Sequence, residues 1–395
     1  MALAFVRACQ GDLAVWEQRW HDVAGPRQTR PVPRPAAGVA TPLPRPAQLP
    51  LRPRGSPGRA AELRQLNGGL VERGAPVLIS GPVGVGKSEL ALRHAHAIAD
   101  QQVDGQLYAD LGSPDLAEQG ADTVLSGFLQ ALGVAGEHLP NSPDQRAGLY
   151  RSLLAERRLV VLLDNVPNES TARTLLAPAP RTVTIMVSRR RLLGLRDVRR
   201  VQLDVLSRAD SIAMISAAVD VDDRDRVACD RLAALCGDLP LALDVATRKL
   251  AARPNLDLGG AVSRLAEPGV LPRWLRIGDI SVQQALNSVY QRLSGRATSL
   301  LGYLARHAPC EHIVLNAVGD ADEPIEELVE AGMLRRGLNS GSFRLDALIR
   351  AFAIQRTAPA PSAGGPRVLA APPVGPAQRP SNRATRRRVR RVKGC

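Results

Sequence analysis

At 395 residues, 45% hydrophobic but only 3% aromatic, the chain is long enough for two or three domains with cores of Leu, Val, Ala and Ile. Its net charge of +14 is concentrated in two acid-free stretches, six arginines within 26–54 and nine Arg or Lys after Arg356, which excludes a basic binding face on the folded part. Apolar runs no longer than strands argue against a membrane span, and five scattered cysteines against disulfides or a metal cluster, so a reducing cytoplasm is the expected setting.

The first segment, 1–24, reads as a short helical piece with Phe5, Trp16 and Trp20 among polar positions, and Arg7 breaks its apolar start too early for a signal peptide. Residues 25–57 are rich in Pro and Arg, with Pro-x-Pro spacing at Pro31 and Pro33 and at Pro44 and Pro46, and read as an extended linker. From Gly58 the pattern alternates. Pro76–Ser80 is a short apolar strand ending in a glycine loop, followed by a helix from Lys87 to about Asp100 that carries His94 and His96 as packing or surface residues. Gly105–Leu111 is a second strand candidate, and Ala121–Leu132 and Pro143–Glu156 have helical periodicity. Leu159–Leu163 is wholly apolar, as a strand covered on both faces would be. Thr182–Val187 and Val201–Leu203 add two more strands. This alternation predicts an α/β fold over 58–206, a parallel sheet sandwiched by helices.

Beyond Ser207 the strands stop. Arg208–Val219, Arg224–Cys236, Leu241–Ala252 and Gly259–Leu265 predict a small helical domain over 207–280. Residues 281–356 offer two helices within Ser281–Ala308, a third at Pro324–Ala331, a hairpin from Met333–Arg336 and Ser342–Leu345, and a closing helix Ala347–Arg356. That order suggests a winged-helix domain. The remaining 357–395 is Pro/Ala/Gly-rich and then Arg-rich, and reads as a disordered basic tail.

The chemistry begins at Gly81-Pro82-Val83-Gly84-Val85-Gly86-Lys87-Ser88, a phosphate-binding loop by its spacing. Its glycines let backbone N–H groups turn inward around phosphate oxygens, and the following helix offers its positive end to the same anion. Lys87 would neutralise a β- or γ-phosphate, and the Ser88 hydroxyl would reach Mg²⁺. Asp164, closing the apolar strand at the carboxyl edge of the sheet, is the expected second metal oxygen, with a turn or helix-capping role as its alternative. Many P-loop ATPases carry an acid at the next position to polarise the attacking water; here it is Asn165. General-base catalysis contributes about 10²–10⁴ in rate, so hydrolysis should be slow and no catalytic residue is assigned.

Together these motifs resemble the NB-ARC branch of the STAND P-loop ATPases, in particular bacterial (actinomycete-type) multidomain transcription regulators, over about Gly58 to Arg356. Gly58-Arg59-Ala60-Ala61-Glu62-Leu63 looks like the family's opening motif, whose arginine lies near the nucleotide, with Ser56 replacing the usual aromatic. Val187-Ser188-Arg189-Arg190 looks like the sensor strand end, which makes Arg189 the implied γ-phosphate sensor. Gly237-Asp238-Leu239-Pro240-Leu241-Ala242 resembles the GLPLA motif, whose proline packs against adenine; on its residues alone it is a loop with Pro at a helix start. Phe343-Arg344-Leu345-Asp346-Ala347-Leu348 departs from the family's His-Asp pair, and Asp346 near a phosphate implies repulsion of about 4 kcal/mol at roughly 4 Å and an effective dielectric of about 20. An ADP-locked state would be weakened by it. At the amino end, Phe5–Asp12 with Trp16 and Trp20 looks like the remnant of an XRE-like helix-turn-helix domain, and the helical repeats that often follow the winged helix are replaced by the tail.

The nucleotide-binding set implied is Arg59, Gly81, Pro82, Val83, Gly84, Val85, Gly86, Lys87, Ser88, Glu89, Arg189 and Pro240, with Ser88 and Asp164 on Mg²⁺ and ADP or ATP as the ligand. The implied function is an NB-ARC-type ADP/ATP switch in transcription regulation, at most a slow ATPase. Two readings stand beside it: a P-loop ATPase with steady turnover, and a truncated nucleotide-binding fragment that contacts nucleic acid only through Arg386–Lys393, salt-dependently and without sequence preference. The expected partners are adenine nucleotide, a second copy in a homo-oligomer and DNA through the tail, with no membrane.

Overall fold

Five segments with apolar centres form the strands β1 (Val77–Ser80), β2 (Gly105–Asp110), β3 (Leu159–Asp164), β4 (Val183–Ser188) and β5 (Arg199–Gln202) of one sheet. Their order is β2-β3-β4-β1-β5 and every pairing is parallel. Structure, in the form of a computed structural model, is described here for residues 14, 15, 18, 45–53, 58–68, 75–176, 179–219, 225–253, 257–267, 269–308, 312–315, 322–337, 341–356 and 368–370. The chain divides into two units, Met1–Pro44 and Arg45–Cys395. Of the first, residues 14, 15 and 18 are helical; the rest of the expected helix-turn-helix remnant lies outside the described residues.

Both faces of the sheet are covered, and the two-residue period of a strand assigns each side chain to a face. Leu78, Leu107, Val161, Leu163 and Met186 join one core with Leu125, Phe128, Tyr150 and Leu154. These last come from α3 (Pro114–Ala131) and α4 (Pro143–Ala155), each opening with proline, which suits the first helical turn. The alternate residues Ile79, Val160, Leu162, Ile185 and Val187 join a second core with Leu66 of α1 (Ala60–Gly68) and Leu90 and Ile98 of α2 (Lys87–Ile98). A seven-residue helix not foreseen from periodicity, α5 (Glu169–Leu175), starts where the Asn168 side chain accepts from the Thr171 N–H.

As an edge strand, β2 would present unpaired amides. Residues 45–50 supply the partners: the Gln106 N–H donates to the Pro46 carbonyl at 2.7 Å, and the Gln48 N–H to the Gln106 carbonyl at 3.1 Å. The far end of the stretch expected as an extended linker lies as a strap on the sheet, because an extended Pro-rich chain matches the spacing of an open strand edge.

The second core does not stop at the sheet. It continues through α6 (Arg208–Ala218), α7 (Arg226–Leu235), α8 (Pro240–Ala251) and α9 (Leu258–Leu265), by way of Ile215, Leu232, Leu243 and Val262. A short α10 (Val270–Trp274) and the strand pair β6 (Arg276–Ile277) and β7 (Ile280–Ser281) lead into α11 (Val282–Tyr290) and α12 (Gly295–His307). Then come β8 (His312–Leu315), α13 (Asp322–Glu330), β9 (Arg335–Arg336), β10 (Ser342–Arg344) and α14 (Ala347–Arg356). The expected hairpin is present, with Phe343 opposite Arg336. A final strand, β11 (Val368–Ala370), pairs antiparallel with β8, so these three residues depart from the disordered tail expected after residue 357. Three consecutive apolar residues there can complete the open edge of β8; the Arg-rich part of the tail lies outside the described residues. No helix among the described residues is long and apolar enough to cross a membrane.

Phe352 of α14 is buried and meets Tyr290 of α11 edge-on at 5.8 Å, inside the core that also holds β1 and β3. Phe352→Ala should cost about 3–5 kcal/mol. Because the core is continuous, denaturant unfolding followed by probes on 75–202 and on 281–356 should shift together.

Candidate functional site

The loop Gly81 to Gly86 leaves the carboxyl end of β1 and re-enters helix at Lys87. Gly84 and Gly86 take φ of 79° and 88°, left-handed values open to glycine at little cost. Lys87 is 7% exposed, and its Nζ donates to the Pro82 carbonyl at 2.6 Å. Burial, aided by the Arg189 charge and opposed by Asp164, pulls the ammonium down to a pKa of about 8. A polyanion beside it would reverse that shift.

Ser88 Oγ donates to Asp164 Oδ1 at 3.0 Å, and the Asn165 N–H donates to the same oxygen at 2.8 Å. Burial raises the Asp164 pKa, while the Ser88 and Asn165 hydrogen bonds work against the rise. Since β4 stands between β1 and β3, the Ser88–Asp164 pair bridges the carboxyl end of β4. One hydroxyl and one carboxylate in contact beside an anion-binding loop form the hard-oxygen pair that suits Mg²⁺, whose other ligands are phosphate and water. No cluster of three or more His, Cys, Asp or Glu competes for a metal among the described residues.

From the end of β4, Arg189 reaches a cavity of about 350 Å³ lined by Pro82, Asp110, Asn165, Ser188, Arg292 and Glu327, among others. Its Nη1 donates to Ser288 Oγ of α11 at 3.0 Å. Asn165, at φ 54°, turns its amide Nδ2 to Asp110 Oδ1 at 2.7 Å. Asp110 has no counterpart in the motifs read from sequence. The available signal was its place as a carboxylate at the carboxyl end of a strand candidate, at the same sheet edge as Asp164.

On the loop's other side Arg59, Val85, Gly86, Glu89 and Pro240 line one narrow cleft. Arg59 braces the loop: its Nη2 donates to the Val85 carbonyl at 3.0 Å and the Asp204 carbonyl at 2.6 Å, and Nη1 pairs with Glu62 at 2.9 Å. The Leu241 N–H, at the start of α8, donates to the Gly84 carbonyl at 3.0 Å. Arg208 holds the segment before α8 with a bidentate bridge to buried Asp238, both contacts at 2.8 Å. His94, two turns along α2, is buried with Nδ1 3.0 Å from Asn67 Oδ1 and serves packing.

A third segment touches the loop at Gly332, between α13 and β9. A Cβ there would lie 2.5 Å from Pro82 Cβ, so only glycine permits this approach. Asp346 borders the same region but does not confront the loop with a bare charge, which corrects the repulsion expected from sequence. Arg335 Nη2 donates to its Oδ1 at 2.5 Å and Arg344 Nε lies 2.9 Å from that oxygen. Two guanidiniums neutralise it, a pairing invisible before β9 and β10 were brought together.

Comparison with known proteins places these features in context. No family model matches the chain. It is 34% identical over 339 residues, 80% of its length, to the regulatory protein AfsR of Streptomyces coelicolor, and 34% identical over 325 residues, 78% of its length, to AfsR of Streptomyces griseus. The chain spans about a third of those relatives, 34% and 33%. Among solved structures, a Walker-type ATPase of Pyrococcus abyssi superposes with a TM-score of 0.50 at 13% identity, over 77% of this chain and 99% of the other. That likeness shows the fold, a parallel-sheet P-loop architecture with helical additions.

Two measurements probe the site. A phosphate seated on Lys87 would need the ammonium protonated, so above a pH of about 8 each such complex would take up a proton. Affinity for Mg-nucleotide should therefore weaken by up to about tenfold per pH unit above that point, and Lys87→Met should flatten the dependence in calorimetric titrations. Asp346→Ala strands two arginines that keep partial access to water. It should destabilise the fold by about 1–3 kcal/mol in thermal melts, with no tightening of ADP binding.

Proposed function

We propose that the chain is an adenine-nucleotide-operated regulatory switch of the NB-ARC/STAND type, acting as part of a transcription regulator and hydrolysing ATP slowly. The observation that carries this reading is the sharing of one loop by three segments. The backbone that would close around phosphates is the same backbone that Leu241 bonds at Gly84 and that Gly332 approaches at Pro82. A ligand that reshapes the loop must therefore disturb α8 and the segment after α13.

ADP or ATP fits the loop through its amides, Lys87 and the end of α2, with Ser88 and Asp164 holding Mg²⁺ and Pro240 and Glu89 beside the base and ribose. Bound Mg²⁺ would supply charge neutralisation at the phosphates. Arg189 is the element that distinguishes the two nucleotides: a γ-phosphate competes for the guanidinium that Ser288 now engages, loosening α11. The helical segment and the helix-rich segment with its small antiparallel sheet, read as a winged-helix domain, then act as a lid rather than as a DNA reader. The similarity to AfsR, a regulatory protein, supports a regulatory role for this part of a longer architecture.

Purified protein should retain close to one adenine nucleotide per chain after gel filtration, and Lys87→Ala should lose it. Ser288→Ala should shift the preference toward ATP by about three- to tenfold, since one competing hydrogen bond of about 0.5–1.5 kcal/mol is removed. Displacement of a fluorescent nucleotide measures both; equal ATP:ADP ratios in the two proteins would count against the sensing role of Arg189.

A further inference from the structure

We propose that Asp110 is the catalytic base of this site, taking the proton of the water that attacks the γ-phosphate, with Asn165 as its positioning residue. The assignment rests on the nucleotide-switch reading above and names the group that gives it turnover. Asp110 is the last residue of β2 and the register partner of Asp164 on β3. Parallel pairing thus sets two carboxylates side by side at the carboxyl edge of the sheet, and their surroundings divide their roles.

Asp164 is 6% exposed and tied to Ser88, as suits a metal ligand. Asp110 instead lines the cavity on the Pro82 side of the loop, together with Arg189 and Arg292. Its Oδ1 accepts twice, from Asn165 Nδ2 at 2.7 Å and from the Gly112 N–H at 2.9 Å, which fixes the carboxylate's orientation. Its Oδ2 has no hydrogen-bond partner among the described residues, and so keeps its accepting capacity for a water. An amide at 165 accepts no proton but can aim a neighbouring acid. Asn165 itself cannot take the proton; the acid that gives the site its slow turnover stands one strand over.

In the step itself the water oxygen bonds to the γ-phosphorus as the bond from that phosphorus to the β–γ bridging oxygen breaks. The water proton passes to Asp110 Oδ2, and the bridging oxygen leaves on ADP with the bonding electron pair. Arg189 faces the charge that spreads over the transferring group, and the proton on Asp110 is returned to solvent as inorganic phosphate departs.

The test compares full-length wild type, Asp110→Asn and Asn165→Ala by nucleotide affinity, by single-turnover cleavage of bound ATP and by the nucleotide carried through purification. Asparagine at 110 keeps an oxygen for both donors, so binding should stay within about threefold while cleavage falls about 10²-fold or more. Asp110→Asn should also carry ATP where wild type carries ADP. Asn165→Ala should slow cleavage about tenfold with the carboxylate intact, and it decides the matter should Asp110→Asn misfold. Cleavage at the wild-type rate in a variant that binds normally overturns the assignment. So does a wild type that binds ATP but cleaves it no faster than Lys87→Ala. A wild type that binds no nucleotide sinks the switch reading instead.

Discussion

The structure depends on one short stretch of backbone, Gly81 to Gly86, being satisfied from several directions at once. Arg59 bonds the Val85 carbonyl, Lys87 the Pro82 carbonyl and Leu241 the Gly84 carbonyl, while Gly332 rests on Pro82. Arg59 and Leu241 hold the Val85 and Gly84 carbonyls from neighbouring segments, while the Pro82 carbonyl holds Lys87 itself. An anion site of this kind needs no special acid–base chemistry; it needs backbone held in conformations that only glycine takes readily. The surrounding segments supply that restraint, and so any change in the loop is felt by all of them.

Electrostatics adds a second constraint. Lys87 and Asp164 are both buried, and in each burial disfavours the charged form. A group held this way stores an unfavourable term that a ligand of opposite charge would relieve, as a metal–polyphosphate would for both. Elsewhere the same cost is avoided by pairing: Arg208 with Asp238, and Arg335 and Arg344 with Asp346. These bridges tie together segments whose apolar neighbours, Leu206 and Leu239 in one case and Leu334, Phe343 and Leu345 in the other, already lie in the second core.

Much of this was legible in the sequence because it is local. The wholly apolar Leu159–Leu163 could only be a strand covered on both faces, and it is. The glycine spacing fixed the loop, and proline at 240 the start of α8. What escaped was non-local. Nothing in the sequence pairs Asp346 with Arg335, sets Asp110 beside Asp164, or lays residues 45–50 along β2, since each requires strands or loops far apart in the chain to meet. The helix α5 escaped for another reason: seven residues are too few for periodicity to show, and the signal lies in the Asn168 cap.

The central claim is that occupancy of the loop is transmitted to the segments resting on it. Hydrogen exchange by mass spectrometry, on protein alone and with Mg-ATP or Mg-ADP, reads this directly. Altered protection at the loop together with 239–243, 284–292 and 329–336, differing between the two nucleotides and lost in Lys87→Ala, is the predicted result. Saturating nucleotide that protects only 81–90 and leaves the other segments unchanged would contradict it.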